Sequence, residues 1–507
     1  MKNRFPIFQL SSVLWTVVLM IPLFTFAEEK KEIVPVTVPI PETLVELNIG
    51  ETQKVTLTDS STVELKLVGV QEKTDPAVGA LRLAVVSVEI NGKPLELYSG
   101  NYRLPVTFGK VQIDAPVVKS YAVRRGSNSW GIVKDVRFRL WPKGSPWTAP
   151  GTFVYPIRQK LFASSTQMNN EPVYVDGGER PGSTSQYYHS GLDFGGTEGE
   201  VEAICAADAL VVSSAGKTLP GYKQDPVSPR YDVIYVLDHR GWYYRYSHLK
   251  RIDVTCGQKV KKGDVLGLLG KEGGSGGWTH LHFGIETNQT GLWGDHQAYP
   301  YIWEAYIKEY SPKLVAVARP HIVGIIGQPV RLSGELSWSA GGKIASYEWT
   351  LSNGKTVTGK EAEIVYDRPG YYSEILKVTD PAGNVEYDTT QVEIFDPKTF
   401  EAGKKDRFEY PASIHLVYAP TFDIKAGTPV TFKVRSFRTK EGGETIEFGD
   451  GSKPAKVKSD GNAKALNPNG YAVVQHTFEK AGVYKVRADH LNARGEQATT
   501  HVFVKVN

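Results

Sequence analysis

Short stretches in which apolar and polar residues alternate, separated by turn-forming sequences at regular intervals, make up most of this chain. Between Glu28 and Trp141 they read VTVPIP, QKVTLT, STVELKLVGV, LRLAVVSVEI, KVQID and VKDVRFRLW, with NIGE, INGK and RRGSN among the breaks. Alternation of period two marks strands with one buried face, and the close spacing of turns predicts a β-sandwich. WPKGSPWTAPGT, rich in Pro and Gly, then reads as a linker or a strap. Further strands are expected at LVVSSAG, DVIYVLD, GWYYRYSH, KVKKGDVLGLLG and THLHFGIE, with DHRG at 238–241 as a hairpin turn. The clearest helix is YPYIWEAYIKEY, 299–310, where Tyr301, Ile302, Ala305 and Tyr306 recur at helical spacing.

The last two hundred residues repeat themselves. RPGYYSEILKVTDPAGNVEYDTTQVEIF, from 368, lies on KAGVYKVRADHLNARGEQATTHVFVKV, from 480, so that Gly370 meets Gly482 and Gly383 meets Gly495. Two β-modules in tandem are expected, separated by the charged segment FDPKTFEAGKKDRF. They resemble PKD domains, which are immunoglobulin-like β-sandwiches, through YEWTLSNGK and PGYYSEILKVTDPAGN in the first and IEFGDGSKP and HTFEKAGVYKVRADHLNARG in the second. The resemblance implies spacers, or modules that hold wall, glycan or protein surfaces.

Charge and composition narrow the function. At 507 residues the chain has room for three or four domains. A net charge of +4 without any basic run gives no support for a nucleic-acid partner. Lys2 and Arg4 precede an apolar stretch from Val13 to Phe26, and TFA at 25–27 ends it before EEKKE, the layout of a signal peptide cleaved after Ala27. The rival reading is an uncleaved anchor, but fourteen residues fall short of the ~20 that span a bilayer. The rest of the chain is expected outside the cytoplasm: periplasmic, in the cell envelope or extracellular, with no stable membrane span. Cys205 and Cys256 are its two cysteines, and a disulfide or two free thiols are both open readings.

Candidate chemistry gathers between Gln186 and Glu286. In HSGLD, His189 and Asp193 are four apart; Gly191, Gly195 and Gly196 each cost ~1 kcal/mol in a helix, so this segment is expected to be extended or looping. In HLHFGIE, Leu281, Phe283 and Ile285 alternate with His280, His282 and Gly284, which sends both imidazoles off the core. YRYSHL puts Tyr244, Tyr246 and His248 on one face. A zinc-type ion takes three or four N, O or S ligands and, in a catalytic site, keeps one position for water. Two histidines and an aspartate meet that need and leave two histidines for proton transfer.

HSGLDFGG, YSHL, VKKGDVLG and THLHF, in that order, resemble the lysostaphin-type (LytM-like) zinc metallopeptidases over about 150–312. The resemblance implies His189, Asp193 and His282 as ligands of one Zn2+ per chain, and His248 and His280 as the catalytic pair. It implies hydrolysis of peptide bonds in peptidoglycan cross-links; action on glycine-rich or other proteins, and a non-catalytic wall-binding role, are the alternatives. Tyr246 is a candidate donor to the tetrahedral intermediate, with packing as its other role. His239 and His296 fall outside the motif. AADALVV carries Ala209 where relatives place a glycine. The expected architecture is mainly β and multidomain: signal peptide 1–27, β-sandwich 28–150, antiparallel-β peptidase domain 151–312, and PKD-like sandwiches 313–398 and 403–507. A shallow cleft is expected between the loops SSAGKTLPGYKQDPVSPR and KEGGSGGW.

Overall fold

The computed structural model describes residues 40–77, 79–123, 128–166, 169, 171–174, 186–289, 291–399, 410–440 and 442–507. The expected signal segment and much of the charged linker between the repeats lie outside them. From residue 40 onward the described residues belong to one compact unit. The fold is nearly all-β and built of several sheets.

The N-terminal strands make two four-stranded sheets. One orders Thr43–Leu47, Val136–Pro142, Val111–Val118 and Val106–Phe108, and the other Thr52–Thr56, Thr62–Thr74, Leu81–Ile90 and Lys93–Ser99. Their alternating Val, Leu and Ile side chains meet in one core, as the period-two pattern requires. Two buried ion pairs sit here, Arg137 with Glu46 at 2.6 Å and Arg139 with Asp114 at 2.5 Å. Arg139 also donates to the Gln297 carbonyl at 2.6 Å, which ties this sandwich to the next domain. The Pro/Gly-rich segment behaves as a strap: the backbone N–H groups of Trp147 and Thr148 donate to the two Glu304 carboxylate oxygens on the helix Tyr299–Tyr310.

The middle of the chain is an antiparallel sheet whose backbone order is Leu192–Gly195, His280–Gln289, Tyr243–Ser247, Ile234–Asp238, Ala209–Ser214. DHRG turns the chain between two neighbours in it, with the Gly241 N–H donating to the Asp238 carbonyl. Leu281, Phe283 and Ile285 are fully buried on one face, together with Leu192 and Phe194 of the adjoining strand. Burying three such side chains stabilises this strand by about 1.5–3 kcal/mol each. The helix covers the same core with Tyr301, Ile302, Ala305 and Tyr306, the residues that carry its helical period. The opposite face of the central strands is divided between a second apolar cluster, with Val212, Tyr235 and Tyr243, and the polar side chains of Asp193, His280 and His282.

The two repeat modules form hairpins at equivalent places, Gly370–Thr379 with Val385–Phe395 and Gly482–Leu491 with Gln497–Val506. They do not hang as separate beads. Gly370 and Tyr371 pair in parallel with Gln497 and Ala498, so strands of both modules merge into one nine-stranded sheet. Cys205 and Cys256 are free thiols; Cys205 is buried, with its Sγ 3.1 Å from the Ala207 carbonyl oxygen, and burial pushes it up to about 12. Among the described residues no helix is long and apolar enough to cross a membrane.

Candidate metal centre and active site

Register builds the centre. Asp193 lies directly opposite His282, and Gly195 opposite His280, on antiparallel strands; residues so paired share a face. Because Leu192 and Phe194 take the core face, the Asp193 carboxylate must project beside the HxH imidazoles. His189, just before this strand, closes the group. His189 Nε2, Asp193 Oδ1 and His282 Nδ1 are 2.9–3.2 Å apart pairwise. Their ligand atoms fall within 4.8 Å of one another. Gly191 permits the approach: its φ is +85°, and a Cβ there would stand 2.9 Å from the His282 ring and from the Phe283 carbonyl.

The other two histidines stand beside this trio. His280 Nε2 is 3.6 Å from Asp193 Oδ2, and the His248 and His280 ring centroids are 4.6 Å apart. His280 Nδ1 lies 2.9 Å from the Trp278 carbonyl oxygen and His248 Nδ1 lies 2.6 Å from that of Glu272. Carbonyls only accept, so each ring carries its proton on Nδ1 and keeps the Nε2 lone pair free.

His248 corrects the face expected for YRYSHL. Tyr244 and Tyr246 are fully buried in the core, and the Tyr246 hydroxyl accepts the Ala206 N–H at 2.8 Å, so Tyr246 is a packing residue. The strand ends at Ser247, and His248 adopts φ +67°, a left-handed conformation that swings its side chain to the polar face. Asp232, fully buried, holds that turn by accepting the His248 N–H at 3.1 Å while receiving both Arg230 nitrogens at 3.0 and 2.6 Å. No motif around Asp232 announces this role in the sequence.

Charge and burial compete throughout. Burial pushes the Asp193 carboxyl up, but His189 and His280 together with hydrogen bonds from His189 and His282 outweigh it and hold it well below the usual carboxylate range. Burial lowers His189, and the Asp193 charge and hydrogen bond more than reverse that. His282 stays well below the usual histidine value because burial dominates, and burial takes His280 down to about 4. A carboxylate with two imidazole nitrogens is the donor set that a zinc-type cation requires, and the three ligand atoms fit it in number, type and spacing.

The centre faces a cavity of about 440 Å3. Arg230 and Gly274 line part of it from the two loops expected to flank a cleft, but the cleft is not shallow. Arg82 of the N-terminal sandwich and Tyr371, Glu393, Ser413 and Arg438 of the repeat modules wall its far side. His189, His248, His280 and His282 are consequently 5–8% exposed. His239, exposed in its turn, and His296, buried against Tyr301 and Glu42, lie outside the centre.

Residues 187–292 match peptidase family M23, and residues 312–394 match the PKD domain. A curated relative, an uncharacterized metalloprotease of Haemophilus influenzae, is 28% identical over 173 residues. These are 34% of this chain and 32% of the relative, so the chain spans about a third of its length. Among solved structures, the catalytic domain of the antimicrobial peptidase lysostaphin from Staphylococcus simulans is 21% identical, covering 23% of this chain and 80% of that one, with a TM-score of 0.19. The catalytic domain of the prophage-encoded M23 protein EnpA from Enterococcus faecalis is 22% identical, covering 30% and 92%, with a TM-score of 0.17. The segment carrying HSGLD and HLH is, by its match over 187–292, a domain of peptidase family M23, and a PKD domain follows it.

Proposed function

We propose that this protein is an exported zinc-dependent endopeptidase that hydrolyses peptide bonds in peptidoglycan cross-links. The observation that carries this reading is the convergence of His189 Nε2, Asp193 Oδ1 and His282 Nδ1 within 4.8 Å, with two further imidazoles beside them. His189, Asp193 and His282 would hold one Zn2+, which when bound supplies a Lewis acid and brings the pKa of a neighbouring water toward ~7.

The remaining chemistry belongs to the chain's own groups. His248 and His280 line the cavity with their Nδ1 atoms engaged by backbone carbonyls, so Nε2 of either ring can take the proton of an attacking water and pass it to the departing amine. In their protonated form the same rings donate to the oxyanion of the tetrahedral intermediate. Asp193, bound to His282 and within 3.6 Å of His280, orients both rings of the HxH pair. The cavity walls leave the four histidines 5–8% exposed, and that burial strengthens each of these interactions. Export rests on the Lys2/Arg4 and apolar layout of the N-terminus.

The test is incubation of the zinc-loaded full chain with purified peptidoglycan of several cross-link types, and separately with glycine-rich peptides, followed by detection of new amino termini. Cleavage of wall peptides that stops on chelation is the expected result. Cleavage of proteins alone would replace the substrate assignment, and no cleavage of either with zinc bound would refute the peptidase reading.

A further inference from the structure

The loop before the HxH pair is gripped by a part of the chain that lies more than 130 residues later. Arg435, fully buried, donates through Nη1 to the Gly277 carbonyl at 2.7 Å, and Asn462 Nδ2 donates to the Gly276 carbonyl at 3.0 Å. The Thr279 N–H donates to the Tyr471 hydroxyl at 3.0 Å. Trp278 lies flat on Phe437, with ring centroids 4.1 Å apart and planes 15° from parallel, and its other neighbour is His415 at 4.7 Å. Gly277, at φ +89°, has no room for a side chain, since a Cβ would lie 2.4 Å from Asn462 and 2.7 Å from Arg435. Every residue from Gly276 to Thr279 is therefore held by the C-terminal module.

The held segment acts directly on the site. Trp278 contributes the carbonyl that accepts from His280 Nδ1 at 2.9 Å, and its side chain lines the cavity. Moving this peptide by 1 Å would break the bond that selects the His280 tautomer, and such displacements cost up to about a hundredfold in rate. A spacer would not need three separate polar bonds and a stacked aromatic pair on the residues next to the catalytic strand.

We propose that the C-terminal module is part of the active site: Arg435, Phe437 and Tyr471 are positioning residues that hold Trp278 so that its carbonyl keeps the His280 proton on Nδ1 and Nε2 toward the cavity. The assignment rests on the reading of His280 as a proton carrier. Tyr471→Phe keeps the ring and removes the acceptor for the Thr279 N–H; Phe437→Leu keeps an apolar side chain and removes the stacking face.

The experiment uses the full chain of both variants and the parent. With zinc bound and a short wall peptide as substrate, kcat is expected to fall about tenfold or more while KM stays within about twofold, with one zinc per chain retained. In zinc-free protein carrying 15N-labelled histidine, His280 is expected to be protonated at Nδ1 in the parent and to average between Nδ1 and Nε2 in the variants. An unchanged or raised kcat in both variants, or a parental His280 signal in both, overturns the proposal. If the parent cleaves nothing, the peptidase reading fails by itself and the histidine signals alone decide whether the module sets the ring.

Discussion

Asp232→Asn isolates the device that puts His248 in the cavity. The Asp232 carboxylate accepts three donors, the His248 N–H at 3.1 Å and two Arg230 nitrogens at 3.0 and 2.6 Å. An amide has a single acceptor oxygen, so either His248 or Arg230 then faces an NH2 group. A left-handed conformation costs a side-chain-bearing residue roughly 1–2 kcal/mol, and a hydrogen bond to a charged group returns about 1.5–3 kcal/mol. At φ +67° the bond less the strain leaves His248 a margin of only ~0.5–1 kcal/mol for holding its turn. Losing a bond of ~2–3 kcal/mol turns that margin to about −1 to −2.5 kcal/mol and lowers the population of the cavity-facing ring roughly 5- to 50-fold. The assay is steady-state hydrolysis of a wall peptide by the zinc-loaded chain: kcat should drop by that factor, with zinc content unchanged because Asp232 touches no member of the ligand trio. A kcat within twofold of the parent, or a loss of zinc, would refute the reasoning. Acid adds a check of sign. Burial pushes Asp232 up, but its bonds with His248 and Arg230 outweigh burial and hold it well below the usual carboxylate value. Its contribution to stability is thus complete above the ordinary carboxylate pKa of ~4 and is lost as pH falls toward the lower folded value. Asp232→Asn should remove that part of the acid sensitivity.

Other perturbations separate the remaining parts. Gly191→Ala places a Cβ 2.9 Å from the His282 ring in a backbone of φ +85°, and zinc affinity measured by chelator competition should fall at least about tenfold; parental affinity would contradict the close approach. His189→Ala should lose both zinc and activity, whereas His280→Ala should keep one zinc and lose hydrolysis, as metal analysis and peptide assay will read; zinc loss from the second variant would make His280 a ligand. His415, buried between Thr166 and Tyr471, is lowered by burial, with a smaller effect of His280, to about 3. Its folded pKa lies below the unfolded value of 6.5, so stability is full above pH 6.5 and falls as pH drops from there toward 3, by up to ~1.4 kcal/mol per pH unit. Denaturant midpoints of the parent and His415→Gln between pH 7 and 4 should diverge in slope, and parallel slopes would exclude the effect.

What could be read along the chain was whatever depends on near neighbours. Alternation in HLHFGIE places Leu281, Phe283 and Ile285 in the core and both imidazoles away from it, because a strand with one buried face has no other option. The same rule misplaces His248, since one left-handed residue at the end of a strand reverses the face and nothing in YSHL marks it. Asp232 is silent for a similar reason: its role is to brace a backbone turn sixteen residues away. The walls of the cavity were beyond reach altogether. Glu393, Tyr371 and Arg438 belong to modules whose sequences describe sandwiches, and only the parallel pairing of Gly370–Tyr371 with Gln497–Ala498 and the docking of Phe437 on Trp278 bring them to the site. Loop composition suggested a shallow, adaptable cleft because loops were considered without the surfaces that cover them.

The distance in sequence between the clasped loop and its clasp is also an interval of time. Thr279 precedes Tyr471 by 192 residues, which at ordinary rates of synthesis is roughly 10 to 40 s. For that interval the proposed ligands His189, Asp193 and His282 and the proposed proton carriers His248 and His280 have been made while the residues that hold Trp278 have not. On the reading proposed above, full hydrolytic competence would arrive only with the second module, and a chain cut short inside it would turn over far more slowly than the whole.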